Sequence, residues 1–188
     1  MFALSRPVLF AFVARTPDGI ATIAALRVAF DFSMIFQQAA NQFRHFFISF
    51  GFDDLSSKRR FMGIICAGIT ATMLVYALTP LYQWVWGTVM GLPAELISIA
   101  RDATLIMCLM PVIIIYRNYF HAHLMMMRRT GGMAYGSILR VIGIYASAQL
   151  FFSLGWLSPI NASFILILGF VIEALIARIT FRRANAHK

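Results

Sequence analysis

Six polar residues interrupt one apolar run of the chain: Arg27, Asp31, Gln38, Asn41, Gln42 and His45. Their spacings of four, seven, three, one and three place them on one face of an α-helix. Phe32, Phe36, Phe43 and Phe47 fall on the opposite face, where they meet lipid or other helices. Such a stripe either lines a hydrated cavity or supplies hydrogen bonds between helices. Arg27 and Asp31 are four apart and can pair with each other. Arginine before aspartate is the poorer order, so a partner on another helix is equally open. His45 is a titratable group suited to proton coupling, or an ordinary hydrogen-bonding histidine.

A second set lies further along. Arg101 and Asp102 are adjacent; Arg117, Asn118, His121 and His123 follow, with Arg140 and Glu173 in later apolar runs. Arg117 and His121 are one turn apart on one helical face. If Arg27 takes Asp31, an ion pair of Glu173 with Arg140 or Arg117 is the economical arrangement. A surplus of buried arginine suits an anionic ligand, because guanidinium binds carboxylate and phosphate bidentately. Arg128, Arg129 and Arg178 have a plainer use, reaching a membrane surface along their apolar stems.

Nothing in the chain points to catalysis: no nucleophile–base–acid set, phosphate loop or metal-binding histidine motif is present. No cofactor is implied. Leu124, Met125, Met126 and Met127 read as packing or lipid-facing side chains, and Cys66 and Cys108 as small hydrophobes.

The elements that must hold these residues follow from composition. Of 188 residues, 61% are hydrophobic and 12% charged, and the mean hydropathy is +0.79. A soluble domain carries about 25% charged residues. These values exclude disorder and argue against a soluble enzyme. An all-α, polytopic membrane bundle of about six helices fits, since ~20 apolar residues span one bilayer. The net charge of +9 would suggest nucleic acid in a soluble chain, but here it reflects the lysine and arginine excess of cytoplasmic loops, so nucleic acid is not an expected partner. The apolar run 8–14 has no small-x-small cleavage pattern and is not a signal peptide.

Breakers divide the chain into helices over about 2–14, 20–50, 61–86, 94–127, 133–154 and 160–181, forming one transmembrane lobe over 1–188. The second and fourth exceed what a span needs and must tilt, kink or project, with Pro111 the natural kink. The first is short. It lies at the interface, or Met1 falls within a helix whose first half is missing; the second reading fits the charge pattern. Lys58, Arg59, Arg60, Arg128, Arg129, Arg182, Arg183 and Lys188 follow segments two, four and six, whereas Arg15 is the lone basic residue after one, three and five. This alternation places both termini in the cytoplasm, with the chain multi-pass in the inner (plasma) membrane.

Several motifs carry a family resemblance. Leu4, Ser5, Arg6 and Pro7, followed by an apolar run to Arg15, resemble the start of the second half of progressive ankylosis proteins. Pro111 to Arg129 is similar as well, with Arg117, His121 and Leu124-Met125 before Arg128-Arg129-Thr130. Ile138-Leu139-Arg140-Val141-Ile142 and Gly169-Phe170-Val171-Ile172-Glu173-Ala174 continue the order. That family resembles a branch of the multidrug/oligosaccharidyl-lipid/polysaccharide flippase superfamily, which includes the multidrug and toxic compound extrusion (MATE) transporters.

The resemblance covers nearly the whole chain and implies a MATE-like transporter of twelve helices in two lobes, working by alternating access. It implies export of anions such as pyrophosphate, citrate or nucleotides. It carries over Arg6, Arg117, Arg140 and Glu173 as functional or structural polar positions. The chain matches the C-terminal lobe only, so two copies associate, the chain is a fragment, or it serves another membrane complex.

The expected function is therefore a transporter, or transporter lobe, exporting an anionic small molecule. Its expected partners are membrane lipid and a second lobe, second copy or larger membrane complex. Two alternatives stand beside it: a non-transporting membrane subunit, and a flippase for a lipid or polysaccharide precursor.

Overall fold

The computed structural model describes residues 2–186. The helices are α1 (Phe2–Val13), α2 (Gly19–Asn41), α3 (Phe43–Phe50), α4 (Leu55–Leu78), α5 (Leu81–Gln83), α6 (Ala94–Met107), α7 (Met110–Met126), α8 (Gly131–Ser153) and α9 (Pro159–Ala186), with a π-helical segment Trp84–Val89 after α5. There is no strand among the described residues. Five stretches are long and apolar enough to cross a membrane: Gly19–Phe50, Leu55–Leu78, Ala94–Met126, Gly131–Ser153 and Pro159–Ala186. The protein is an all-α membrane bundle. Leu4–Val13 is apolar but shorter than a span.

The boundaries differ from the sequence expectations for local reasons. The long second segment divides at Gln42, whose amide donates to the Ala39 carbonyl at 3.2 Å and tightens one turn. The fourth divides before Pro111, which has no amide hydrogen to return to Met107. Leu109 instead donates to Ile106 at 3.2 Å, a 3₁₀-type bond. The third segment starts earlier than expected, at Leu55, so Lys58, Arg59 and Arg60 belong to a helix rather than a loop. Ser57 and Ser56 hydrogen-bond the Asp54 carboxylate at this start, holding it below the ordinary carboxylate range. Lys58 Nζ ties the start down by donating to the carbonyls of Phe50 and Gly51 at 2.7 and 3.2 Å. This helix ends at Leu78 and does not reach Trp86, because Thr79 before Pro80 is extended. The last helix runs past Phe181 to Ala186.

Helices α6, α7 and α9 form the most buried part of the bundle, and α4 is the most exposed. Between α8 and α9 the backbones approach closely. A Cβ on Gly143 would lie 2.6 Å from Ile172, and one on Gly169 would lie 2.5 Å from Ile144 and 3.1 Å from Arg140. Small residues permit such contact in membrane bundles. The stripe's apolar partners are covered by helices rather than left to lipid: Phe43 and Phe47 are buried, and Phe32 stacks on Tyr76 at 4.1 Å.

The two ends are chemically distinct. At one end Phe52 stacks on His123 at 3.5 Å, His123 meets Phe181, and Arg59 donates to the Tyr119 hydroxyl at 2.7 Å. The basic clusters at 58–60, 128–129 and 182–183 gather there; Lys188, expected with them, lies outside the described residues. At the other end Phe12 packs on Tyr145 and Phe152, joining α1 to α8.

Candidate functional site: an arginine-lined groove backed by a buried triad

The deepest charges converge on one carboxylate. Glu173 Oε2 accepts from Arg140 Nη1 at 2.6 Å and Arg117 Nη1 at 3.1 Å, and Ser137 Oγ donates to Oε1 at 3.3 Å. All three charged side chains are at least 98% buried. Helix geometry explains the meeting. Arg140 stands about 14 Å from the start of α8, and Arg117 about 14 Å from the end of α7, at 1.5 Å per residue. Both are therefore near the middle of a ~30 Å hydrocarbon layer. Phe170, one turn before Glu173 on α9, lies under both guanidinium groups, 4.9 Å from Arg140 and 5.7 Å from Arg117. Two cations around one carboxylate leave a net positive charge at the bundle centre.

Arg117 also faces outward. Its Nη2 donates to Asn41 Oδ1 at 2.9 Å and to Asn118 Oδ1 at 3.2 Å. Asn118 Nδ2 donates to the Ala40 carbonyl at 3.1 Å and to Asn41 Oδ1 at 3.3 Å. The triad is thus joined to α2.

In front of it runs a groove of about 840 Å³ along α2, bounded also by α1, α7 and α9. On α2 and α3 its lining extends from Ile23 to His45, roughly 33 Å along the helix. The entire sequence-derived stripe lines it: Arg27, Asp31, Gln38, Asn41, Gln42 and His45, joined by Arg6 and Arg117. Asp31 is held mainly from another helix, as Arg6 Nη1 donates to it at 2.6 Å, whereas Arg27 Nε is 4.0 Å away. Arg6 Nη2 also donates to the Phe30 carbonyl at 2.8 Å. Four arginines line the groove (Arg6, Arg27, Arg44 and Arg117) against one carboxylate, Asp31.

Three candidates stand behind the groove rather than in it. Arg140 and Glu173 belong to the triad, and His121 is buried with neither ring nitrogen hydrogen-bonded. Other groove residues were less conspicuous in the sequence. Arg44 stands three residues after Asn41 and seven after Gln37, a spacing that already places it on the stripe's face. Gln37 is only 7% exposed and Ser5 only 2%. Ser5 Oγ has no hydrogen-bond partner among the described residues. Nothing in the sequence marks Ser5, because its burial depends on how α1 docks. Arg101 lies apart from the groove, donating to the Ala77 carbonyl at 3.2 Å.

No group of three or more His, Cys, Asp or Glu among the described residues is placed to hold a metal ion. Comparison with protein-family models, with curated proteins and with solved structures finds no match.

Proposed function

We propose that the chain is a membrane transporter, or one lobe of one, whose groove binds a small anionic solute near the middle of the bilayer. The observation that carries this reading is the four-to-one excess of arginine over carboxylate in a groove running most of the length of a spanning segment. Intramembrane charges mark substrate or ion pathways, and guanidinium forks match carboxylate and phosphate oxygens. The resemblance to progressive ankylosis proteins and the wider MATE-like superfamily supports export of such anions by alternating access. The basic end faces the cytoplasm of the inner membrane in this reading, as lysine and arginine excess dictates.

The test is efflux of citrate and of pyrophosphate from vesicles containing the purified full chain. Arg44→Gln and Arg27→Gln each reduce efflux at least about tenfold while insertion is unchanged, if each removes one charge-assisted contact worth ~1.4 kcal/mol or more. Efflux of both anions at the rate of empty vesicles overturns the reading.

A second reading rests on exposure. Arg27 is 76% exposed and Asp31 58% exposed on a membrane-spanning helix, which favours a partner protein over that face and a non-transporting subunit of a larger complex. Subunit stoichiometry in native-like lipid separates the two. A stable complex with a different protein, with no anion efflux, supports the subunit.

A further inference from the structure

Beside the arginine groove lies a second one of different character. Its volume is about 730 Å³, and it runs along α2 from Ile20 to Ile35 against Val85, Trp86 and Met90 of the π-helical segment and the turn after it. Its wall is apolar except at Arg27 and Asp31. Ile23, Arg27 and Asp31 line both grooves, so the polar and the apolar channel meet along one edge of α2. At 1.5 Å per residue the apolar channel is roughly 22 Å long, and Arg27 stands about 12 Å from the start of the helix. A free polar anion gains nothing from the apolar half, and a neutral hydrocarbon gains nothing from the arginines.

We infer that the paired grooves hold an anionic membrane lipid, its phosphate at Arg27 and its acyl chain along Val28, Phe32 and Ile35 toward Trp86. Asp31 does not repel this headgroup unopposed, because Arg6 holds it at 2.6 Å and Arg27 is 4.0 Å away. The two arginines leave one positive charge at the junction. Ile20 and Ile35 are 85% and 67% exposed, so a lipid reaches the channel sideways from the bilayer without any helix parting. The inference rests on the anion-binding reading of the arginine groove and adds to it. A lipid phosphate at Arg27 competes with a soluble anion for the same guanidinium.

Trp86 lines the apolar channel and supplies the probe. In the full chain carrying Trp84→Phe and Trp156→Phe, quenching of Trp86 is measured in vesicles with brominated phosphatidic acid or brominated phosphatidylcholine. The anionic lipid is expected to quench at several-fold lower mole fraction, and Arg27→Gln is expected to abolish that preference. Dioctanoyl phosphatidic acid should displace the brominated lipid at a concentration more than about tenfold below glycerol 3-phosphate, since the chain contributes through burial. Equal quenching by the two brominated lipids overturns the inference, marking ordinary bilayer contact. Equal displacement by glycerol 3-phosphate and dioctanoyl phosphatidic acid also overturns it, but leaves the soluble-anion reading standing. Loss of citrate and pyrophosphate efflux with the lipid preference intact strikes only the transport reading.

Discussion

Arg140 donates to Glu173 across the α8–α9 contact at 2.6 Å, with both side chains buried at the level of the bilayer centre. The pair exists because Gly169, one turn before Glu173, lets α8 approach until Ile144 and the Arg140 stem nearly touch the α9 backbone. Packing and charge are therefore one device, and either can be broken through the other.

Removing the carboxylate is the more damaging change. Glu173→Ala leaves Arg117 and Arg140 facing each other around Phe170 without their shared anion, and should cost about 3–5 kcal/mol, the usual loss when one member of a buried ionic set is deleted. Arg140→Met should cost less, because Glu173 keeps Arg117 at 3.1 Å. Reversible unfolding in detergent micelles measures both. A smaller loss for Glu173→Ala than for Arg140→Met contradicts the triad.

Packing offers the converse test. In Gly169→Leu the new side chain meets Ile144 and Arg140 directly. Over-packing of this kind costs about 1–3 kcal/mol, and it should also pull Arg140 from Glu173. Gly91→Ala, with no atom near its Cβ but a φ of +68°, provides a strain control outside the contact. If Gly169→Leu unfolds like the wild type, α8 and α9 are not so closely packed.

Arg6 and Asp31 make a different kind of link. Their side chains are 23% and 58% exposed, and the pair fastens α1 to α2 at the edge of the groove. In a water-filled groove such a pair contributes little, so a double-mutant cycle of Arg6→Gln and Asp31→Asn should return a coupling of at most about 1 kcal/mol. The functional effect should run the other way: Asp31→Asn removes the groove's one carboxylate and should tighten binding of citrate. Calorimetric titration in nanodiscs reads this directly, and weaker citrate binding contradicts it.

Much of this was legible in the sequence because a membrane helix has a simple grammar. The stripe from Arg27 to His45 is periodic, and each polar residue in an apolar run must be satisfied by something, so its common face was readable, while the choice between a cavity and a neighbouring helix was left open. Pro111 announced the break between α6 and α7 by its missing amide hydrogen. The convergence of Arg117 and Arg140 on Glu173 was readable only as a pairing of one arginine or the other. That both meet it depends on how α7 and α8 dock on α9, and for α8 the close glycine contacts with α9, distant in sequence, set that approach. Arg6 on Asp31 was hidden for the same reason: the i,i+4 neighbour Arg27 is the local choice, and tertiary packing overrides it. The start of α4 was misplaced because Lys58, Arg59 and Arg60 look like a loop, whereas charged residues extend a spanning helix beyond the hydrocarbon at little cost.

Orientation remains the most direct prediction of the charge pattern. The basic ends near residues 54–60, 128–129 and 182–183 lie together, and the turn at 154–158 lies at the other end with no lysine or arginine. In a chain with Cys66→Ala and Cys108→Ala, a cysteine at Trp156, which lies in this turn and is 62% exposed, should react with a membrane-impermeant maleimide added to intact cells. A cysteine at Ser56, beside Lys58, should react only after permeabilisation. Both positions are exposed, so lack of access to solvent does not mask the result. The opposite labelling would invert the topology and put the arginine-rich end outside. It would also reverse the direction in which the groove, from Arg44 to Arg27, delivers an anion.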